Sequence, residues 1–513
     1  MSRRSLGHPD AALDQSFASH FVHQPTHNAL LSNASDVVYG AKGMGKTALR
    51  RALTEIHKSQ FFATYTIDLD SIKFEETHTA LRRLEATSGS DVMTLSRSIW
   101  RNVLALYCLE AVRLRLPEDY PGHGGRLERV LDEEKFLGRQ HNARVVNAVE
   151  RIFERLAESG VERESDVRGG RLFGLPERQR RLIEQFPQSA EIEDLLKFAA
   201  QVVQESSKFA LICLDGFDSV VDHQPESRKA IFAGLVDAIH RMSRDPVISR
   251  AFCFKAFLPK ELTSEARAVV WDADKYLANT HALYWGEQDI RNFLAKRLVP
   301  LSRAPGRMLG KFEDVWLEFM PESVRNRTHG LEEETFSYIL RHTVYRPRQV
   351  LFHVQEVLDR WDERSTSFRV DESLIPSVVA SSNRKLSEAV VNQLEYAMSG
   401  VTLFIRSWAG GASTILFEDC LSKIKRFFSV QQGPHVQEVF GALYEAGVLG
   451  IVEDHKRHPE RSSRVRFSFV ENGFGRGPGP GVKGDDIVAL CPMLQEFSGC
   501  SPSECGAVLP VRG

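Results

Sequence analysis

Short continuous apolar runs alternate with stretches of three- and four-residue apolar spacing along the first half of the chain. That alternation predicts strands separated by helices. The strand candidates are Val37-Val38-Tyr39, Phe61 to Leu69, Phe209 to Leu214, Phe252 to Leu258 and Thr280 to Trp285. Between them, Leu95, Ile99, Val103, Leu106 and Ala111 mark a helix near Val92 to Leu114. Glu191 to Glu205 and Ser227 to Met242 mark two more. Strands that are apolar on both faces belong in a parallel sheet covered by helices, here over about residues 21–285. Charged helical periodicity over Arg126 to Ser159, then an irregular Arg/Glu-rich stretch, predicts a helical insertion at about 117–188.

From Gly286 the strand pattern stops. Gln288 to Leu298, Glu332 to Leu340 and Gln349 to Trp361 read as the helices of a lid over 286–365. Over 366–472, helices at Leu386 to Ala397, Phe417 to Phe428 and Pro434 to Ala446, with Gly447 as a left-handed stop, precede two strands. Those strands, Val448 to Val452 and Val465 to Phe469, form a hairpin, and the whole suggests a winged helix. Residues 1–20 are expected to be a flexible N-terminus. Residues 473–513 are expected to be a Gly/Pro linker and C-terminal tail in which Ile487 to Leu494 returns as a strand.

The chemistry concentrates where the first strand meets a helix. Gly40 and Gly45, followed by Lys46 and Thr47, have the separation of a P-loop. Glycines there let the backbone turn tightly and bring several N–H groups onto one phosphate, and the helix adds its N-terminal partial charge. The nucleotide-binding candidates are Gly40, Gly43, Gly45, Lys46, Thr47 and Ala48. Lys46 would reach the β- and γ-phosphates, and the Thr47 hydroxyl would ligate Mg²⁺. Downstream, Phe209 to Leu214 ends in Asp215, a Walker B arrangement whose carboxylate is the second Mg²⁺ candidate. Tyr345-Arg346-Pro347-Arg348 sets two arginines around a helix start, where a guanidinium suits a γ-phosphate. Phe21 to His23, just upstream of the P-loop, are candidates for contact with the base. The fold expected is α/β: a parallel P-loop NTPase core with a helical insertion and helical lid, then a C-terminal winged-helix-like domain.

Charge and composition narrow the partners. Lys plus Arg is 66 and Asp plus Glu is 68, a net charge of −2, so only local patches argue for nucleic acid. One such patch is Lys456, Arg457, Arg461 and Arg464 between the hairpin strands; the helix before it, around His435 to Phe440, has no Lys or Arg. The first ten residues lack the apolar run of a secretory signal, and no run reaches the length of a membrane span. The 7 cysteines are scattered, and Cys491, Cys500 and Cys505 lack zinc-ligand spacing; a reducing cytoplasm is the expected location.

With these motifs in place, the chain resembles bacterial P-loop ATPases at the AAA+/STAND border, similar in layout to origin-recognition-type initiators. Five features carry the resemblance: Gly40 to Thr47, Leu214-Asp215-Gly216-Phe217-Asp218, the strand ending near Lys260, Leu283-Tyr284-Trp285, and Arg346-Pro347-Arg348. The resemblance implies ATP with Mg²⁺, a central P-loop strand, a γ-phosphate-sensing role for Arg346 or Arg348, and nucleotide-dependent homo-oligomers. Lys260 is then the sensor at the end of the fourth strand, and Arg267 the candidate arginine finger. One position departs. Such ATPases place Glu directly after the Walker B Asp, and here that residue is Gly216, with Asp218 the nearest substitute for the catalytic carboxylate.

Three functional readings fit these features. The first is a slow ATPase acting as a conformational switch, with signalling or anti-phage defence as its setting and the effector on another chain. The second is an ATP-dependent DNA-binding remodeller or loader, and the third a nucleotide-binding scaffold that does not hydrolyse.

Overall fold

A computed structural model of the chain describes residues 4–31, 37–69, 79, 81–82, 92–116, 121–134, 136–137, 144, 190–217, 225–260, 279–303, 312–325, 332–364, 367–428, 433–453, 464–469 and 482–501. The chain divides into two compact units. One comprises His23–Lys42 and Lys46–Leu283, the other Met1–Val22, Gly43–Gly45 and Tyr284–Gly513.

The first unit is built on a parallel sheet of β1 (Val37–Gly40), β2 (Ala63–Asp68), β3 (Ala210–Asp215), β4 (Phe252–Pro259) and β5 (Thr280–Ala282), in the order β2-β3-β4-β1-β5. β3 and β4 are buried along their whole lengths, as continuous apolar runs require of central parallel strands. The P-loop strand is interior but not central: β4 occupies the middle and separates β1 from β3. The expectation of a central P-loop strand is therefore corrected by one place.

Strict alternation divides the sheet's two faces. Tyr39, Ile212, Leu214, Phe254, Ala256 and Leu258 enter one core with the Val92–Arg113 helix. That helix is buried over most of its circumference and lies close against the Pro225–Met242 helix. A Cβ on Gly234 would strike Ser96, and Trp100 Nε1 donates to Ile231 O at 3.1 Å. Leu211, Cys213, Asp215, Cys253, Lys255 and Phe257 alternate to the other face. The Pro121–Glu133 helix begins before Arg126, where the charged helical periodicity starts; the rest of the expected insertion, apart from residues 134, 136, 137 and 144, lies outside the described residues.

In the second unit, the Glu287–Leu298, Phe312–Phe319, Thr335–Arg341 and Pro347–Arg364 helices pack around Ile290, Leu294, Trp316, Phe336, Val350 and Val354. The N-terminus belongs to this core. Leu6 is fully buried, Leu6 N donates to Gln355 Oε1 at 2.8 Å, and Arg4 donates to Phe368 O at 2.7 Å. The expectation of a flexible 1–20 segment is thus overturned for residues 4–20, because a few anchoring side chains outweigh a polar composition. Glu332–Glu334, expected to be helical, forms β7 paired antiparallel with β6 (Ser323–Arg325). Ion pairs hold it there: Glu333 with buried Arg341 at 2.8 Å, and Glu334 with Arg291 at 3.0 Å.

The Leu374–Ala397 helix is twice as long as its apolar stripe suggests, and Pro376 is tolerated because it falls in the first turn. Its start packs with the four helices above through Ile375 and Val379, its end with a separate core through Val391. That core holds the Val401–Arg406, Phe417–Phe427 and Gly433–Glu445 helices and an antiparallel sheet. The sheet contains β8 (Thr414–Leu416), β9 (Leu449–Glu453), β10 (Arg464–Arg466) and β11 (Ile487–Leu490), in the order β10-β9-β11-β8. β9 and β10 pair antiparallel after the helices, where a hairpin was expected, and Gly447 has the left-handed φ of 78° that stops the preceding helix. β11 lies between β9 and β8, so residues 487–490, expected in a tail, are interior sheet.

Candidate functional site

β1 delivers the chain to Gly40, and the next helix, Lys46–Arg51, starts six residues later. The turn between them requires glycine. Gly43 and Gly45 take φ of 87° and 96°, in the left-handed region that side chains avoid. At Gly40 a Cβ would lie 3.3 Å from Leu283 Cβ and 3.4 Å from Lys46 Cγ, displacing the lysine stem. Lys46 is 5% exposed, and its Nζ donates to Gly40 O at 3.0 Å, with Ala41 O at 3.5 Å. Its ammonium therefore sits over the loop's own carbonyls. Thr47 and Ala48 follow in the first turn and are half-buried.

The crest of the loop, Gly43–Gly45, belongs with the helical unit. Trp285 Nε1 donates to Met44 O at 2.7 Å. Arg348 Cβ and Arg346 Cδ stand 3.4 and 3.9 Å from where a Cβ on Gly43 would be. The two arginines singled out from the sequence thus lie near Gly43, within the same unit. Arg346 is 8% exposed, while Arg348 has Asp10 at 3.8 Å. Tyr345 just before them takes φ of 53°, a left-handed conformation costly for an aromatic residue. Packing against Phe469 and the bond from Val344 N to Gln349 Oε1 (3.0 Å) hold the turn in place.

Asp215 ends β3, and its Oδ2 accepts from Arg50 Nε at 3.0 Å. Arg50 was not among the residues the sequence singled out. It lies four residues after Lys46, one helical turn on, and that spacing opposite an acidic strand tip was the signal available. Gly216, where a catalytic Glu is expected, has φ of 89°. Its backbone is shaped for glycine, which gives the departure a structural cause. Lys260 directly follows the last residue of β4. Asp218, Arg267, Lys456, Arg457 and Arg461 lie outside the described residues; Arg464 opens β10, in register with Glu453. Phe21 and Val22 are buried and Val22 joins the helical core, while His23 is exposed.

Among the described residues no helix is long and apolar enough to cross a membrane. No protein-family model and no curated protein matches the chain. Among solved structures, it is similar to the Aeropyrum pernix ORC2 protein in its ADPNP–ADP complexes, with a TM-score of 0.36, 11% identity and 86% of each chain covered. The ADP form of that protein gives a TM-score of 0.31 and 12% identity over 90% of each chain. At these scores the likeness carries no argument; the parallel core rests on its own strand register.

Proposed function

We propose that this chain binds ATP with Mg²⁺ at the Gly40–Thr47 loop, hydrolyses it slowly, and acts as a nucleotide-dependent switch. The observation that carries this reading is the loop itself: left-handed Gly43 and Gly45 run directly into a helix whose first residue, Lys46, turns its ammonium back over the loop. The residues fit the ligand. Gly43 and Gly45 put no side chain over the loop's amides, and Lys46 donates to carbonyl oxygens that a phosphate oxygen would replace as acceptor. The loop amides and Lys46 would hold the β- and γ-phosphates, and Thr47 with Asp215 the magnesium ion. Arg346 and Arg348, beside Gly43, would report the γ-phosphate.

Slow turnover is supported by Gly216, which offers no carboxylate after Asp215 and whose φ of 89° disfavours one. The same observation favours the second reading, a scaffold that binds without hydrolysing. Equilibrium binding of ATP·Mg²⁺ to the full chain and to Lys46→Ala tests the proposal. Loss of a charge-assisted bond predicts a fall in affinity of about tenfold or more with the circular dichroism unchanged. Equal affinity in the two proteins overturns the site. Single-turnover measurement of phosphate release then separates switch from scaffold.

A further inference from the structure

Three imidazoles meet where the helix begun by the P-loop ends. His23 stands two residues before the Pro25–Leu31 helix and His27 in its first turn, and His57 follows the π-helical turn Ala52–Ile56 that continues the Lys46–Arg51 helix. The π turn accounts for the meeting. His57 N bonds to Ala52 O at 2.9 Å, five residues back instead of four, so one residue is added to the turn. One extra residue rotates the succeeding chain by about 100° around the axis. His57 is thereby turned toward the other two: ring centroids are 4.8 Å from His27 and 5.9 Å from His23.

The spacing suits a metal. His23 Nδ1 and His27 Nδ1 are 3.2 Å apart, and one ligand nitrogen from each of the three residues lies within 4.8 Å of the others. Metal–nitrogen bonds of about 2.0–2.1 Å in a tetrahedron put ligand atoms roughly 3.3 Å apart. His57 Nε2 is buried without a hydrogen-bond partner, while its Nδ1 lies 3.0 Å from the Gln60 amide. With that amide turned over, its oxygen accepts the Nδ1 proton and leaves the Nε2 lone pair for a cation.

We propose that His23, His27 and His57 form a three-histidine site for a zinc-class divalent cation. The ion would tie the Pro25–Leu31 helix to the end of the P-loop helix. An all-imidazole donor set selects Zn²⁺, Co²⁺, Ni²⁺ or Cu²⁺ over the oxygen-seeking Mg²⁺ and Ca²⁺, so the site is chemically distinct from that of Thr47 and Asp215. Exposed His23 leaves the fourth position to water.

The test uses the full chain, stripped with chelator and titrated with Zn²⁺ alone, with bound metal measured after dialysis. His23→Asn and His57→Asn are the variants, because neither removes the buried His27. The expected result is about one retained equivalent, weakened about tenfold or more in each variant. Co²⁺ should give four-coordinate absorption in the wild type that both variants lose. A wild type that releases Zn²⁺ on dialysis overturns the proposal, as do variants that retain it equally. Nucleotide binding does not enter the readout, so either proposal can fail without the other.

Discussion

Arg50 Nε donates to Asp215 Oδ2 at 3.0 Å, tying the second turn of the P-loop helix to the tip of a strand two places away in the sheet. The alternation of β3 sends Asp215 to the face that carries this helix. Both side chains are largely buried, 18% and 12% exposed, so removing one partner leaves the other charge poorly solvated. Arg50→Met should therefore cost about 1–3 kcal/mol in denaturant unfolding. On the proposed metal role of Asp215 it should also raise the apparent affinity for Mg²⁺, since the guanidinium and the ion would compete for one carboxylate. Weaker Mg²⁺ binding in the variant would remove Asp215 from the metal site.

Restoring the expected glutamate should not restore fast hydrolysis. Gly216 sits at φ of 89°, where a side chain costs about 1–2 kcal/mol. Gly216→Glu is expected to lose roughly that much stability and to leave the steady-state rate of phosphate release unchanged or lower. A clear acceleration would show that the backbone can relax and that the position is catalytic after all.

The glycine turn after β1 and the strand ending at Asp215 were legible because their signals are local: glycine spacing, and an apolar run with an acidic end. Strand order was not, because the placing of β4 between β3 and β1 is a non-local choice that no short window records. The same limit hid β8, and it hid the place of β11 between β9 and β8, since these short strands gain their pairing from partners distant in sequence. Composition misled at the N-terminus, where Leu6 and Asp14 fix a polar segment that its average makes look loose. The His23–His27 spacing was visible, but its third member required the π turn that brings in His57.

Acid should weaken the helical unit through His353. Its side chain is buried, its Nε2 faces His342 O at 3.3 Å, and burial, only partly offset by that bond, holds its pKa down to about 4. An unfolded histidine titrates near 6.5. Below that value the unfolded chain takes up a proton that the folded chain refuses, so the stability is complete above pH 6.5 and is lost as pH falls toward 4. At pH 5 the loss amounts to about 2 kcal/mol from this group alone. His353→Leu should flatten the dependence of urea unfolding on pH between 7 and 5. An unchanged slope would mean that the ring is protonated in place.

The N-terminal segment is held by one buried charge. Asp14 accepts from Arg297 Nη2 and from His20 Nδ1, each at 3.1 Å, and Arg297 Nη1 donates to Leu6 O at 2.7 Å. Burial pushes the Arg297 guanidinium down from its usual range, and Asp14 only partly compensates. Asp14→Ala would leave that cation in the core without its carboxylate, at a cost of about 3–5 kcal/mol. Asp14→Ala combined with Arg297→Met should recover much of the loss, since an apolar side chain has no charge to satisfy. Denaturant unfolding of the two single variants and the double variant closes the cycle. If the double variant is no more stable than Asp14→Ala, the loss does not come from a stranded Arg297 charge, and residues 4–20 are anchored instead by buried Leu6 and the hydrogen bonds of Arg4 and Gln355.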